Sequence, residues 1–181
     1  MAAMLLPTIT YGFAVIFIVP FVEEWPYELH FTMKNVANVL KDTELSNVYV
    51  NSLYVAFFTA MFGTLLTYGS ALVTARSHVS EKLIEGIALI TNTIPGMVLG
   101  LAFLFCFSGS SLQSTFLILV LCNMIHYFST PHLMMKESLA KLNGSWETTA
   151  MLMGDNWIKT IIRVVTPNAL STIISVFSYY F

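Results

Sequence analysis

Between Gly86 and Met135 the chain carries no Asp, Glu, Lys or Arg. An uncharged run of this length cannot cover itself in water, and it exceeds one membrane crossing of about 20 residues. The polar stretch Ser108-Gly109-Ser110-Ser111-Leu112-Gln113-Ser114 divides it. Two spans are predicted, Leu83–Phe107 and Leu112–Phe128, joined by a tight outer turn. Thr91-Asn92-Thr93-Ile94-Pro95-Gly96 interrupts the first. Proline removes a backbone donor and clashes with the preceding turn, so a kink is expected at Pro95.

The remainder agrees with a membrane protein. Charged residues are 10% of the chain and hydrophobic ones 56%, against roughly 25% charged in soluble domains. The apolar runs are continuous rather than alternating, which argues against a barrel. The fold class expected is all-α, a polytopic helical membrane protein. A net charge of -2 offers no field for nucleic acid. Cys106 and Cys122 lie inside apolar runs and read as small packing residues.

Residues 1–22 hold the first apolar run, Met4–Val22. It lacks a basic leader and a small-residue cleavage site, so it reads as a retained span rather than a signal peptide. Residues 23–47 are rich in acids, with Trp25 and Tyr27 suited to an interfacial belt. There Thr32 is expected to cap a short surface helix bearing Val36, Val39 and Leu40. From Val48 to Ala75 an uncharged run rich in Ser, Thr, Gly and Ala predicts a closely packed span. In it Gly63 and Gly69 read as packing positions. Residues 48–181 form the core, with a polar segment at 129–167. Asn168–Phe181 is apolar and would rise about 21 Å as helix, so the sequence is expected to stop inside a fifth span.

Arg76, Lys82, Lys136, Lys141, Lys159 and Arg163 fall in two loops on one side of these spans; Lys34 and Lys41 fall on the other. The positive-inside rule places the six in the cytoplasm, with residues 129–167 as the largest cytoplasmic element.

Within that element, ETTAMLMGDNWIKTIIRVVTPN (Glu147 to Asn168) predicts two short helices with a break. Ser145 is expected to cap the first, Gly154 to end it, and Asp155 or Asn156 to cap the second. Trp157, Ile158, Ile161, Ile162 and Val165 would form its apolar face, opposite Lys159 and Arg163. Such a helix–Gly–helix suits a docking surface. It also suits an amphipathic loop resting on the bilayer.

The segment resembles the cytoplasmic EAA loop of type I, binding-protein-dependent ABC importer permeases. That motif reads Glu-Ala-Ala, three residues, Gly, and a proline thirteen residues later. Gly154 and Pro167 have this spacing, and Thr149-Ala150 stands where Ala-Ala is expected. The Glu position holds Thr148, with Glu147 one residue early, and the Leu before the proline is Thr166. Asn51-Ser52, Pro95-Gly96 and Ser129-Thr130-Pro131 resemble further family features in order. The Pro-Gly style and the ending Phe177–Phe181 look most like permeases for ferric iron, 2-aminoethylphosphonate or polyamines.

The resemblance implies a type I permease fold in a bacterial inner membrane and no cofactor. Glu147, Thr148, Thr149, Ala150, Gly154, Asp155 and Pro167 would dock a cytoplasmic ATP-binding subunit dimer. A second permease subunit, identical or fused, and an extracytoplasmic solute-binding protein would complete the assembly.

Other classes fit less well. His126 and His132 are six apart, not a helical metal pair, and no phosphate-binding G-x-x-x-x-G-K-[ST] is present. No catalytic or metal site is therefore expected, and His126 reads as a packed or lumen-facing polar residue. A secondary transporter or channel usually carries ionisable groups at mid-membrane, which the run from Gly86 lacks. Asn51, Thr91, Asn92 and Asn123 remain to line a path, or to bond helices together. A membrane scaffold would show the same spans without the Gly–Pro spacing.

Overall fold

The computed structural model describes residues 2–76 and 78–181, with side chains described for 10–76 and 81–181. The chain divides into two units, Met1–Leu53 and Tyr54–Phe181.

In the first unit, α1 (Ala2–Ile18) is followed by a 3-10 turn at Val19–Phe21. Its 17 residues rise about 25 Å, somewhat short of a ~30 Å hydrocarbon core; the side chains before Thr10 in the expected span 1–22 lie outside the described residues. An antiparallel hairpin follows, β1 (Val22–Glu24) and β2 (Glu28–Phe31), pairing Val22 with Phe31 and Glu24 with Glu28. This small hairpin is the one strand pair among the described residues of a fold that is otherwise helical, as the all-α class expects. The short helix α2 (Lys34–Lys41) is present, but Met33 occupies its cap position. Thr32 instead accepts from the Lys34 N–H at 3.2 Å. The Asn35 amide donates to the Val22 carbonyl at 2.8 Å, tying helix to hairpin. Val39 and Leu40 are exposed.

Helix α3 (Thr43–Arg76) runs 34 residues without a break, about 51 Å of helix. Its buried positions are Thr59, Ala60, Gly63, Thr64, Thr67, Ala71 and Thr74. They recur at three- and four-residue spacing and carry only small side chains, while Phe58, Phe62, Leu65 and Leu66 are exposed. Small residues inward and large apolar ones outward is the arrangement of a helix packed by close approach within lipid. A Cβ at Gly63 would meet the Tyr180 ring at 3.0 Å, so Gly63 is a packing glycine. Gly69 has open space beside it and is not.

The second unit continues with α4 (His78–Thr93), α5 (Gly96–Cys106), α6 (Phe116–His126) and α7 (Ser129–Lys141). Next come α8 (Gly144–Leu152), α9 (Trp157–Thr160), a π-helical turn at Ile161–Val165, α10 (Thr166–Asn168) and α11 (Leu170–Tyr180). Among the described residues, α3 alone is long and apolar enough to cross a bilayer. Three further pairs meet the same criterion if each is one bent span: Glu81–Thr93 with Gly96–Cys106 (105°), Phe116–His126 with Ser129–Lys141 (58°), and Trp157–Asn168 with Leu170–Tyr180 (76°).

Three expectations change here. The kink at Pro95 is a full break, because Pro95 sits extended (φ -57, ψ 136) at the start of α5. The outer turn extends to Thr115. Gly109 donates its N–H to the Gln113 side chain at 2.7 Å, and Ser114 adopts φ 64, so α6 starts only at Phe116. The polar segment from Ser129 opens with a packed helix: Ser129, Pro131, His132, Met135 and Leu139 on α7 are buried. The core gathers Ala60 and Ala71 of α3, Met135 and Leu139 of α7, Val165, and Val176 and Tyr180 of α11.

Candidate functional site

The helix–Gly–helix forms as expected, with a change of cap. The Asn143 side chain, not Ser145, caps α8, accepting from the Ser145 N–H at 3.0 Å. At the other end Gly154 takes φ 92. Its N–H donates to the Met151 carbonyl at 3.0 Å, and the Asp155 N–H reaches back to Ala150 at 3.1 Å. These two bonds with a left-handed glycine make a Schellman stop, which satisfies carbonyls the helix end would leave open. Asn156 caps α9, accepting from the Trp157 N–H at 2.7 Å.

The predicted docking residues divide by environment. Thr148 and Thr149 are exposed, and their hydroxyls donate within α8 to the carbonyls of Gly144 (3.2 Å) and Ser145 (2.8 Å). Ala150 is buried beneath them. Glu147 is held by Arg76 at the end of α3, with Nε donating to Oε2 at 3.2 Å and a second guanidinium nitrogen bonded to Oε1. Asp155 lies 3.6 Å from Arg163, both on the C-terminal side of the glycine stop. Pro167 is exposed within α10. At the apex Leu152 and Met153 are each 83% exposed.

The apolar face expected on the second helix splits. Val165 is buried and Ile161 packs against the core, but Trp157, Ile158 and Ile162 face outward. Trp157 and Ile158 lie before the π turn at Ile161–Val165, whose wider i→i−5 bonding adds a residue and rotates the helix that follows. Pro167 supplies the cause, since it lacks an N–H and crowds the carbonyl four residues back.

A polar cavity of about 180 Å³ lies where the α4–α5 and α6–α7 breaks meet. Thr91 and Asn92 line it from one break, His126, Ser129 and Thr130 from the other, and Tyr179 from α11. His126 packs against Gly96, where an added Cβ would sit 2.9 Å from its Cε1. Its Nδ1 is buried and meets no hydrogen-bond partner among the described residues. Non-helical backbone at membrane depth is tolerated where it is enclosed by protein or lines an aqueous cavity. Two breaks sharing one polar cavity meet that condition together.

Of the four pathway candidates, the structure brings Thr91 and Asn92 together. Asn123 is half-buried on α6 outside the cavity lining, and Asn51 belongs to the first unit. His126, expected as a packed or lumen-facing polar residue, lines the cavity with Ser129, Thr130 and Tyr179, which were not expected there. Pro131, just after the pair Ser129-Thr130, was the available signal for the second break.

The family described as binding-protein-dependent transport system inner membrane component matches residues 63–181. The chain belongs to this family, and the matched region lies wholly within the second unit. It is thus an ABC transporter permease, an inner-membrane transport component rather than an enzyme. No curated protein matches the chain at a significant level.

Proposed function

We propose that the chain is the membrane-spanning subunit of an ATP-driven importer, multi-pass in a bacterial-type cytoplasmic membrane. It forms the path for a small polar or charged solute and couples to a separate ATPase through residues 144–167. The observation carrying this reading is the α8–Gly154–α9 turn inside the family-matched region. Its shape is set by backbone bonds, and its apolar apex is exposed. The basic residues around it fit a cytoplasmic face. Docking falls to Glu147, Thr148, Thr149, Ala150, Gly154, Asp155 and Pro167. The path passes the polar cavity at the two breaks, with Thr91, Asn92 and His126 turned to the solute. Asn123 serves that path further along α6. An ATP-binding dimer, a second permease subunit and an extracytoplasmic solute-binding protein complete the assembly. Closure of the ATPase dimer draws the coupling segments together and rocks the spans.

The test is purification of the tagged full chain from native membranes in mild detergent, with mass spectrometry of its partners. A soluble ATPase should co-purify and be lost in Gly154→Leu, and a co-purifying binding protein would indicate the solute. Recovery of the permease without an ATPase, in several detergents, would overturn the reading in favour of a secondary carrier or scaffold.

A further inference from the structure

One turn of α3 carries three hydrogen bonds to three different elements. Thr67 bonds the Tyr180 hydroxyl of α11 at 2.9 Å, Tyr68 bonds Thr166 at 2.7 Å, and Ser70 bonds His132 Nδ1 of α7 at 3.0 Å. The middle contact reaches the coupling segment at the position where a leucine is expected and Thr166 stands.

The proton direction of that contact is determined. The Thr166 hydroxyl donates to the Ile161 carbonyl at 2.9 Å. A hydroxyl has one proton, so Tyr68 must be the donor to Thr166 Oγ1. The Ile161 carbonyl also accepts the Thr166 backbone N–H, the i→i−5 bond that closes the π turn. The chain Tyr68 O–H to Thr166 O–H to Ile161 C=O therefore ties the one irregular turn of the segment to α3. Eight residues further on, about 12 Å along the helix, Arg76 holds Glu147 of α8. Both halves of the coupling segment are thus anchored on the same helix, on either side of the Gly154 stop.

We infer that Tyr68 and Thr166 are positioning residues for transport: their hydrogen bond fixes the second coupling helix on α3 and carries its displacement to the cavity. The route is short. Thr166 moves Tyr68, and Ser70, two residues on, holds His132. His132 is fully buried on α7 and stacks on Phe128 with centroids 5.1 Å apart. Phe128 and Ser129 form the break at which α7 opens onto the cavity. A polar contact suits this role because it is directional: it resists rotation of one helix against the other, which an apolar contact permits. This inference rests on the importer reading proposed above and adds the residues that transmit the motion.

The experiment uses the full chain with its co-purified ATPase in nanodiscs, in a background lacking Cys106 and Cys122 and carrying Asn92→Cys. The readouts are ATP hydrolysis and the rate at which a maleimide alkylates position 92, with and without ATP and vanadate. In the otherwise unchanged chain, vanadate trapping should shift the alkylation rate. Thr166→Val and Tyr68→Phe should each keep ATP hydrolysis and lose that shift. The double variant should behave like either single one, and Thr166→Ser should retain the shift. A Thr166→Val protein whose alkylation responds like the parent would overturn the inference. So would loss of the ATPase from Thr166→Val, which would make the hydroxyl part of docking rather than transmission. Absence of any ATPase from the parent complex would be a different failure, that of the importer reading itself.

Discussion

Arg76 grips both carboxylate oxygens of Glu147, joining the last turn of α3 to the first helix of the coupling segment. The side chains are 30% and 13% exposed, so solvent still screens the pair. Removal of either partner is expected to cost roughly 1 kcal/mol. The charge swap Arg76→Glu with Glu147→Arg should recover most of it, and high salt should shrink the difference. A double-mutant cycle measured by denaturation in detergent checks this; a coupling energy of zero would mean the pair only decorates the surface.

Gly154 has open space beside it, so its requirement is conformational rather than steric. At φ 92 any residue with a Cβ is strained by about 1–2 kcal/mol. Gly154→Ala and Gly154→Leu should therefore weaken ATPase co-purification to a similar degree, with Gly154→Asn milder because asparagine tolerates this region. A graded loss that follows side-chain size would instead indicate a steric contact with the partner.

Gly96 poses the opposite case. A Cβ there would press on the His126 ring at 2.9 Å. Gly96→Ala should lower thermal stability in micelles by about 1–3 kcal/mol, the usual range for overpacking. Gly100→Ala, with nothing nearby, should not. Combining Gly96→Ala with His126→Ala should relieve the clash.

On α3, Gly63→Ala and Gly69→Ala should have opposite signs. Tyr180 is buried and bonded to Thr67, so its ring cannot withdraw from a Cβ at 63, and a loss of about 1–3 kcal/mol is expected. At 69 the space is open, and alanine should stabilise the helix by about 0.5–1 kcal/mol. Parallel melting curves of the two variants decide the point.

What the sequence revealed follows from how local each signal is. The Gly154 stop and a cap at Asp155 or Asn156 depend on a few adjacent residues and are legible, the structure using Asn156. The packing of Gly63 also could be expected from the small residues repeating around it. The break at Pro95 was visible, but its 105° bend was not, because the angle depends on where α5 finds a partner in α6. The π turn escaped periodicity analysis, since one inserted residue leaves the pattern of apolar residues intact while rotating the helix beneath it. The cavity joins residues 91 and 92 to 126–130 and 179. Only the packing of α4, α6, α7 and α11 brings them together, so a sequence that offers Thr91 and Asn92 as path residues and His126 as a packed or lumen-facing one does not place them around one cavity.

The Schellman stop has a consequence for variation. The turn between α8 and α9 is closed by main-chain atoms of Ala150, Met151, Gly154 and Asp155, while its most exposed side chains, Leu152 and Met153, take no part in closing it. Shape and surface chemistry at the apex are thus independent variables. Substitutions at Leu152 or Met153 can therefore retune what the apex offers a partner without changing the angle at which it is presented, provided that Gly154 is kept.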